Sequence, residues 1–354
     1  MSFNINNLVR NNIRNLKPYS SARDEFKGEA SVYLDANENS LGSPLVKWYN
    51  RYPDPLQWKV KKKLSTIKNI APEQMFLGNG SDECIDLLYR CFCTPAKDNV
   101  VILPPTYGMY EVSANINDVE IRKAPLLNNF QLSITRIEEL VDENTKIIWI
   151  CSPNNPTANS INRTDIYTIL NNFNGLVVVD EAYINFSRQQ SFIKDLQDYP
   201  NLVVMQTFSK AWGLAGLRVG MMFASEEIIN IINKVKPPYN IGIHTQELVL
   251  QALENIADVN EMIKLLVDMR NALSEVFLRV PIVEEVYPSD ANFILVKIKE
   301  ARKVYNFLLT KGIVVRDRSN VQLCEDCLRI TVGTELENTK LIDGIDAYLE
   351  TIAE

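Results

Sequence analysis

The feature that most constrains this 354-residue chain is a series of short apolar runs separated by longer amphipathic stretches. The runs are Val100–Leu103, Ile147–Cys151, Leu176–Val179, Leu202–Gln206 and Val219–Phe223. Between them, stretches such as Asp82–Cys93 and Ile161–Asn171 carry apolar residues at helical spacing. Runs this short read as strands, and strands alternating with helices indicate parallel α/β units. The C-terminal part reads differently. A long helical stretch, Val259–Val280, leads into strands at Asn292–Ile298, Ile313–Arg316 and Cys327–Val332, interleaved with helices at Glu300–Lys311 and Glu335–Ile352. The expected architecture is α/β. A polar N-terminal arm (residues 1–30) packs with the small domain, a large domain (31–258) holds a mostly parallel sheet flanked by helices, and a smaller α+β domain (259–354) follows.

Composition excludes several function classes. Hydrophobic residues make up 46% and charged residues 23%, enough to bury a large core. Lys plus Arg total 37 against 44 Asp plus Glu, so the net charge of −7 speaks against a nucleic-acid partner. No apolar run is long enough to span a bilayer, and the polar start MSFNINNLVRNN lacks the apolar core of a signal peptide, so a cytoplasmic protein without membrane contact is expected. The chain contains one histidine, His244, which rules out zinc sites built on paired histidines and leaves no room for a second histidine base. The six cysteines read as reduced thiols. Cys324 and Cys327 have ligand-like spacing, but no second pair completes a metal site, and the two acidic residues between them disfavour a reactive thiolate. No metal is expected.

In open α/β sheets, ligands bind beyond the carboxyl ends of the strands. Three successive strand ends here carry chemistry: Ser152-Pro-Asn-Asn-Pro-Thr157, Asp180-Glu-Ala-Tyr183 and Thr207-Phe-Ser-Lys210. A partly desolvated lysine at such an edge has a lowered pKa, which suits Schiff-base chemistry. Eight residues later Arg218 sits in the glycine-studded stretch Gly213–Gly220, where a guanidinium suits a phosphate. Asp180 ends the run LVVVD, and a buried carboxylate needs a partner. A protonated ring nitrogen about 4 Å away would supply on the order of 4 kcal/mol at an effective dielectric of ~20. Gly78-Asn-Gly-Ser-Asp82 runs into an amphipathic helix whose first N–H groups suit a phosphate, provided the Asp82 and Glu83 carboxylates are engaged elsewhere.

These residues, with Leu34-Asp-Ala-Asn-Glu-Asn39, Arg51-Tyr-Pro-Asp-Pro55, Pro105-Thr-Tyr-Gly108, Ser209-Lys210-Ala-Trp-Gly-Leu-Ala-Gly-Leu-Arg218 and Leu328-Arg-Ile-Thr-Val-Gly333, resemble the fold-type I pyridoxal-phosphate aminotransferases of class II. The Asn-Glu-Asn and Tyr-Pro-Asp stretches are most similar to the histidinol-phosphate branch. The resemblance implies transamination between histidinol phosphate and 2-oxoglutarate, with pyridoxal 5′-phosphate as cofactor. It makes Lys210 the residue that carries the cofactor and shuttles the proton, and Asp180 the partner of the pyridine nitrogen. Tyr183 and Asn155 would bond the ring oxygen, and Tyr107 would stack on the ring. Ser81, Asp82, Thr207, Ser209 and Arg218 would hold the phosphate, joined by Tyr52 from the other subunit of a homodimer. Arg329, with Tyr19 and Arg316, would bind the substrate anion. A threonine-phosphate decarboxylase shares these motifs and is the nearest alternative. One departure stands out: family members commonly have glycine where this chain has Ala158.

Overall fold

Burial on both faces determines the large sheet. The computed structural model describes residues 3–19, 31–45, 47 and 49–353. Its seven-stranded sheet comprises β1 (Met75–Asn79), β2 (Asn99–Ile102), β3 (Glu120–Lys123), β4 (Thr145–Cys151), β5 (Leu176–Asp180), β6 (Leu202–Thr207) and β7 (Val219–Phe223), in the order β1-β7-β6-β5-β4-β2-β3. Strands β2 to β6 pair in parallel, whereas β7 is antiparallel to both β6 and β1. In β5 the side chains split by the strand's period of two. Val177 and Val179 join one core, and Leu176 and Val178 join the core on the opposite face. The run is uniformly apolar because helices cover both faces, as parallel sheets require.

The second sheet is antiparallel, formed by β8 (Val283–Val286), β9 (Phe293–Ile298), β10 (Arg316–Asp317) and β11 (Cys327–Thr331) in the order β10-β11-β9-β8. One face contributes Ile294, Val296, Leu328 and Ile330 to a separate core with Leu273, Phe277, Val304, Leu308 and Ile345 from the neighbouring helices. Those helices are Ile256–Phe277, Ala301–Thr310 and Glu335–Ala353. Strand β10 begins at Arg316, later than the run Ile313–Arg316 suggested, because the Ile313 N–H closes the preceding helix on Leu308 O.

The N-terminal arm departs from expectation. Ile5, Leu8, Val9 and Ile13 are buried in the core of the large sheet, not beside the small one. Backbone explains part of this: Arg10 N–H bonds Cys91 O, and the Arg10 guanidinium bonds Arg90 O. Both carbonyls belong to the C-terminal end of the Gly80–Phe92 helix, where carbonyls lack helical partners.

One close approach holds the edge strands and this helix together. A Cβ at Gly220 would lie 2.3 Å from both Gly80 C and Ser81 N, so only glycine lets β7 pass the helix start. Gly220→Ala is therefore expected to destabilise the protein by about 3 kcal/mol or more, because backbone must move. Gly108→Ala, with nothing within 4 Å of its added methyl, should stay within about 0.5 kcal/mol of wild type. Urea unfolding of the two variants checks the difference.

Candidate active site

The order in which successive strands are laid down reverses between β2 and β4, which themselves run parallel. Strands β3 and β2 were laid down in one direction, and β5, β6 and β7 in the other. The crevice at such a point is the usual ligand position. A cavity of about 550 Å³ opens there. Because β7 is antiparallel, its N-terminal end shares the edge with the carboxyl ends of β4, β5 and β6, which brings Arg218 to the cavity. Ser81, Asp82 and Tyr107 line one wall. Asn155, Asp180, Tyr183, Thr207, Ser209 and Lys210 line the floor and rim, and Arg316 and Arg329 come from the small sheet. Tyr19 and Tyr52 are not among the lining residues. Tyr19 is 75% exposed, and Tyr52 stacks on Tyr239 with ring centroids 4.4 Å apart in a separate depression.

Asp180 is 3% exposed at the end of β5. It accepts hydrogen bonds from Tyr110 Oη at 2.6 Å and from Ala182 N–H at 3.1 Å. Burial pushes its carboxyl up to about 6, against the downward pull of those two bonds. Lys210 stands in the cavity 5.6 Å from the Tyr183 ring centroid. Partial burial, and next the charge of Arg329, lower its amine below the ordinary lysine range.

The Gly80–Phe92 helix starts at the cavity with Ser81 and Asp82, whose N–H groups have no acceptor within the helix, while Gly80 N–H bonds Arg218 O at 2.8 Å. Gly80 adopts φ +72°, and a Cβ there would sit 2.8 Å from Arg218 Nη2. Both acidic residues of that turn are engaged. Glu83 accepts from Asn79 and Asn240, and Asp82 accepts from Tyr107 Oη at 3.1 Å and pairs with Arg218 at 3.4 Å. Asp82 thus faces the cavity, with its charge offset by Arg218. The Thr207 hydroxyl accepts the Ser209 N–H at 3.1 Å, closing the turn that presents both hydroxyls.

On the substrate side, the Arg329 guanidinium donates to the Asn155 amide oxygen and lies 5.3 Å from the Phe293 ring centroid. Phe293 in turn packs edge-on against Tyr183 at 5.1 Å. Burial, followed by the charges of Arg318 and Arg316, lowers the Arg329 pKa. Ala158 adopts φ 68° while fully buried, the left-handed conformation that glycine accommodates most easily.

Two residues of the site escaped the sequence reading. Tyr110, fully buried beside Asp180, lies three residues after Tyr107, which precedes the Met109–Ile116 helix, and a turn closed by Tyr110 N–H on Tyr107 O sets the rings 5.6 Å apart. Arg318 lines the cavity two residues after Arg316, the strand period that puts both on one face. The remaining motifs stay outside. His244 is exposed beside Tyr49, and Cys324 and Cys327 are buried thiols whose burial raises each to about 12. Among the described residues no cluster of metal-ligating side chains occurs.

The donor set fits pyridoxal phosphate. A buried carboxylate with room for a cationic partner, an amine of lowered pKa, and a glycine-lined helix start beside Arg218 would suit its ring, aldehyde and phosphate in turn.

Comparison with known proteins agrees with this geometry. The family model described as aminotransferase class I and II matches residues 35–345. A histidinol-phosphate aminotransferase of Cytophaga hutchinsonii is 54% identical over 98% of this chain and 100% of its own length. Among solved structures, the histidinol-phosphate aminotransferase of Clostridium acetobutylicum superposes with a TM-score of 0.78 at 22% identity, covering 86% of this chain and 92% of that one. The Sinorhizobium meliloti histidinol-phosphate aminotransferase in complex with pyridoxal-5′-phosphate gives 0.77 at 20% identity, covering 84% and 83%.

The Asp180 environment has a measurable consequence in cofactor-stripped protein. Its folded-state pKa of about 6 exceeds the ordinary 3.8, so the fold favours the protonated form. The stability this confers is fully present below the unfolded pKa and is lost as pH rises through about 6. Between pH 4.5 and 7, wild type should lose about 2 kcal/mol that Asp180→Asn does not lose. Tyr110→Phe removes a donor to the carboxylate and should enlarge the loss. Denaturant unfolding across this range decides the matter, and equal slopes in wild type and Asp180→Asn would refute it.

Proposed function

The chain belongs to the aminotransferase class I and II family, and on that premise we propose that it transfers the amino group of histidinol phosphate to 2-oxoglutarate with pyridoxal phosphate as cofactor. The reading is carried by one observation: a single cavity is lined by Lys210, Asp180 and Arg218 on one side and by the guanidiniums of Arg316 and Arg329 on the other.

Pyridoxal phosphate, when bound, supplies an aldehyde that condenses with amines and a ring that accepts electron density from the neighbouring carbon. The chain does the rest. Asp180 holds a proton on the ring nitrogen by ion pairing, since its burial makes an unpaired carboxylate unfavourable. Lys210 would hold the group through its aldehyde and, once the substrate amine has displaced it, its Nζ would take the proton from the substrate Cα, a task that requires a neutral amine at working pH. Asn155 and Tyr183 donate to the ring oxygen. The helix start at Ser81 and Asp82, the Thr207 and Ser209 hydroxyls and Arg218 hold the phosphate. Tyr107, which lines the cavity, would cover one ring face. Arg329 takes the substrate anion and is steadied by Asn155, with Arg316 as a second cation.

The functional unit is a cytoplasmic homodimer. Tyr52 is half exposed in a depression outside its own cavity, and Leu34 and Leu41 nearby in sequence are 82% and 91% exposed. Apolar surface of this kind favours cover by another protein surface, and the resemblance makes Tyr52 the residue that reaches the partner's phosphate. Tyr19, 75% exposed, is assigned to the substrate side by the same resemblance. The cofactor domain spans 31–258, and 259–354 forms the small domain. An acidic net charge and the absence, among the described residues, of a helix apolar enough to cross a membrane are consistent with the compartment.

Purified protein supplied with histidinol phosphate and 2-oxoglutarate should form glutamate, and Lys210→Ala should abolish turnover and covalent fixation of the cofactor by borohydride. Release of CO₂ from a phosphorylated amino acid without glutamate formation would instead identify a lyase. Mixing inactive Lys210→Ala with inactive Tyr52→Ala should restore part of the activity through hybrid dimers. A monomeric active species in sedimentation would overturn the dimer.

A further inference from the structure

The small sheet is built to turn one face toward the cavity. In β11, Leu328 and Ile330 enter the small-domain core, so Arg329 projects from the opposite face. The same alternation runs through β10. Val315 belongs to the core, Arg316 pairs across the ladder with Arg329, and Asp317 points back to the Ala301–Thr310 helix, where it pairs with Arg302. Arg318, whose N–H bonds Cys327 O and so continues the ladder, returns to the cavity face. Arg316, Arg318 and Arg329 therefore line one wall together. Among the described residues none of the three is in an ion pair. Asp317 is taken by Arg302 and Asp82 by Arg218. Arg318 Nε is buried without a hydrogen-bond partner.

A buried N–H donor without a partner is costly, and three guanidiniums on one wall repel one another. Both costs are relieved by an anion with enough oxygens. A carboxylate offers two, which one guanidinium fork satisfies. A phosphate monoester offers three terminal oxygens and close to two charges at neutral pH. We propose that Arg318 is a specificity residue for the phosphorylated substrate, bonding the phosphate oxygen that Arg316 and Arg329 leave uncovered, and contributing little when a dicarboxylate occupies the cavity. This rests on the transaminase reading and adds to it the residue that separates the two half-reactions.

The test uses holoenzyme carrying Arg318→Gln or Arg318→Lys, with each half-reaction followed separately by the cofactor's absorbance. For Arg318→Gln, kcat/KM for histidinol phosphate should fall about 10–100-fold, the range for a bond to a charged group. The value for glutamate should stay within about threefold, and the resting cofactor spectrum should not change. Arg318→Lys should recover part of the loss. Inorganic phosphate, as a competitive inhibitor of the glutamate half-reaction, should bind the Gln variant about tenfold more weakly than wild type. Equal loss in both half-reactions, or no loss in either, overturns the assignment. If wild type does not transaminate histidinol phosphate, the substrate reading falls, and phosphate inhibition still decides Arg318: weakened inhibition retains it as an anion residue, and unchanged inhibition removes it.

Discussion

The site depends first on how a carboxylate is kept at the end of a fully buried strand. Asp180 closes β5 after four buried aliphatic residues. Its partners are the Tyr110 hydroxyl and the Ala182 N–H. Tyr110 is itself fixed by stacking on Trp149 at 4.8 Å, and Tyr107 meets it edge-on. Tyr107 bonds Asp82, which pairs with Arg218. One buried charge is thus linked through aromatic packing to the phosphate side of the cavity. The cluster is held rigid by strand and helix, which suits a site that must orient a ring and an anion at once.

The antiparallel strand β7 solves a second problem. Parallel strands alone would leave the edge beside β6 open and place its following loop far from the helix start. Running β7 backwards brings Arg218 to the same edge as Lys210, while β1 on its far side delivers Asn79 directly into the Gly80–Phe92 helix. Gly220 and Gly80 permit the contact between them. Arg218 at φ 53° and Gly80 at φ +72° show that this corner is conformationally demanding on both segments. Its cost is met by the surrounding ladder, as at many functional corners.

Legibility followed burial. Strands β2, β4, β5, β6 and β7 were readable because each is a run of apolar residues buried on both faces. Strand β3, Glu-Ile-Arg-Lys, was not, since it is a half-exposed edge with no apolar run. β1 was hidden for another reason: its sequence Met-Phe-Leu-Gly-Asn ends in the glycine turn and reads as the turn alone. β8, Val-Glu-Glu-Val, is only partly covered. Most of the residues brought to the cavity came from strand ends or from the family motif. Tyr110 and Arg318 were missed because each stands one structural period beyond a residue already singled out, and the period is visible only once the element is assigned. Tyr19 and Tyr52 were carried by resemblance alone, and a single chain offers no geometry that draws them in.

The pair Asp180-Glu181 makes the same point at the level of chemistry. Sequence places two carboxylates side by side after one apolar run and singles out the first only by its place at the end of that run. The strand's period separates them. Asp180 follows Val178 to the face that holds Tyr110, Cys151 and the cavity, while Glu181 follows Val179 to the opposite face. There Glu181 is fully engaged by the Ser191 hydroxyl, the Phe192 N–H and Gln206 Nε2 at 2.9 Å, and Gln206 accepts from Lys68 at 2.7 Å. Every lone pair that matters is spoken for by fixed donors, and the nearby lysine offsets its charge, so the group has no need of a ligand. Burial raises both carboxyls, and of the two it is Asp180 that keeps an open side toward the cavity. The difference between a structural and a chemical carboxylate here is the number of committed donors on each face of one strand, which neighbouring elements set and the local sequence does not.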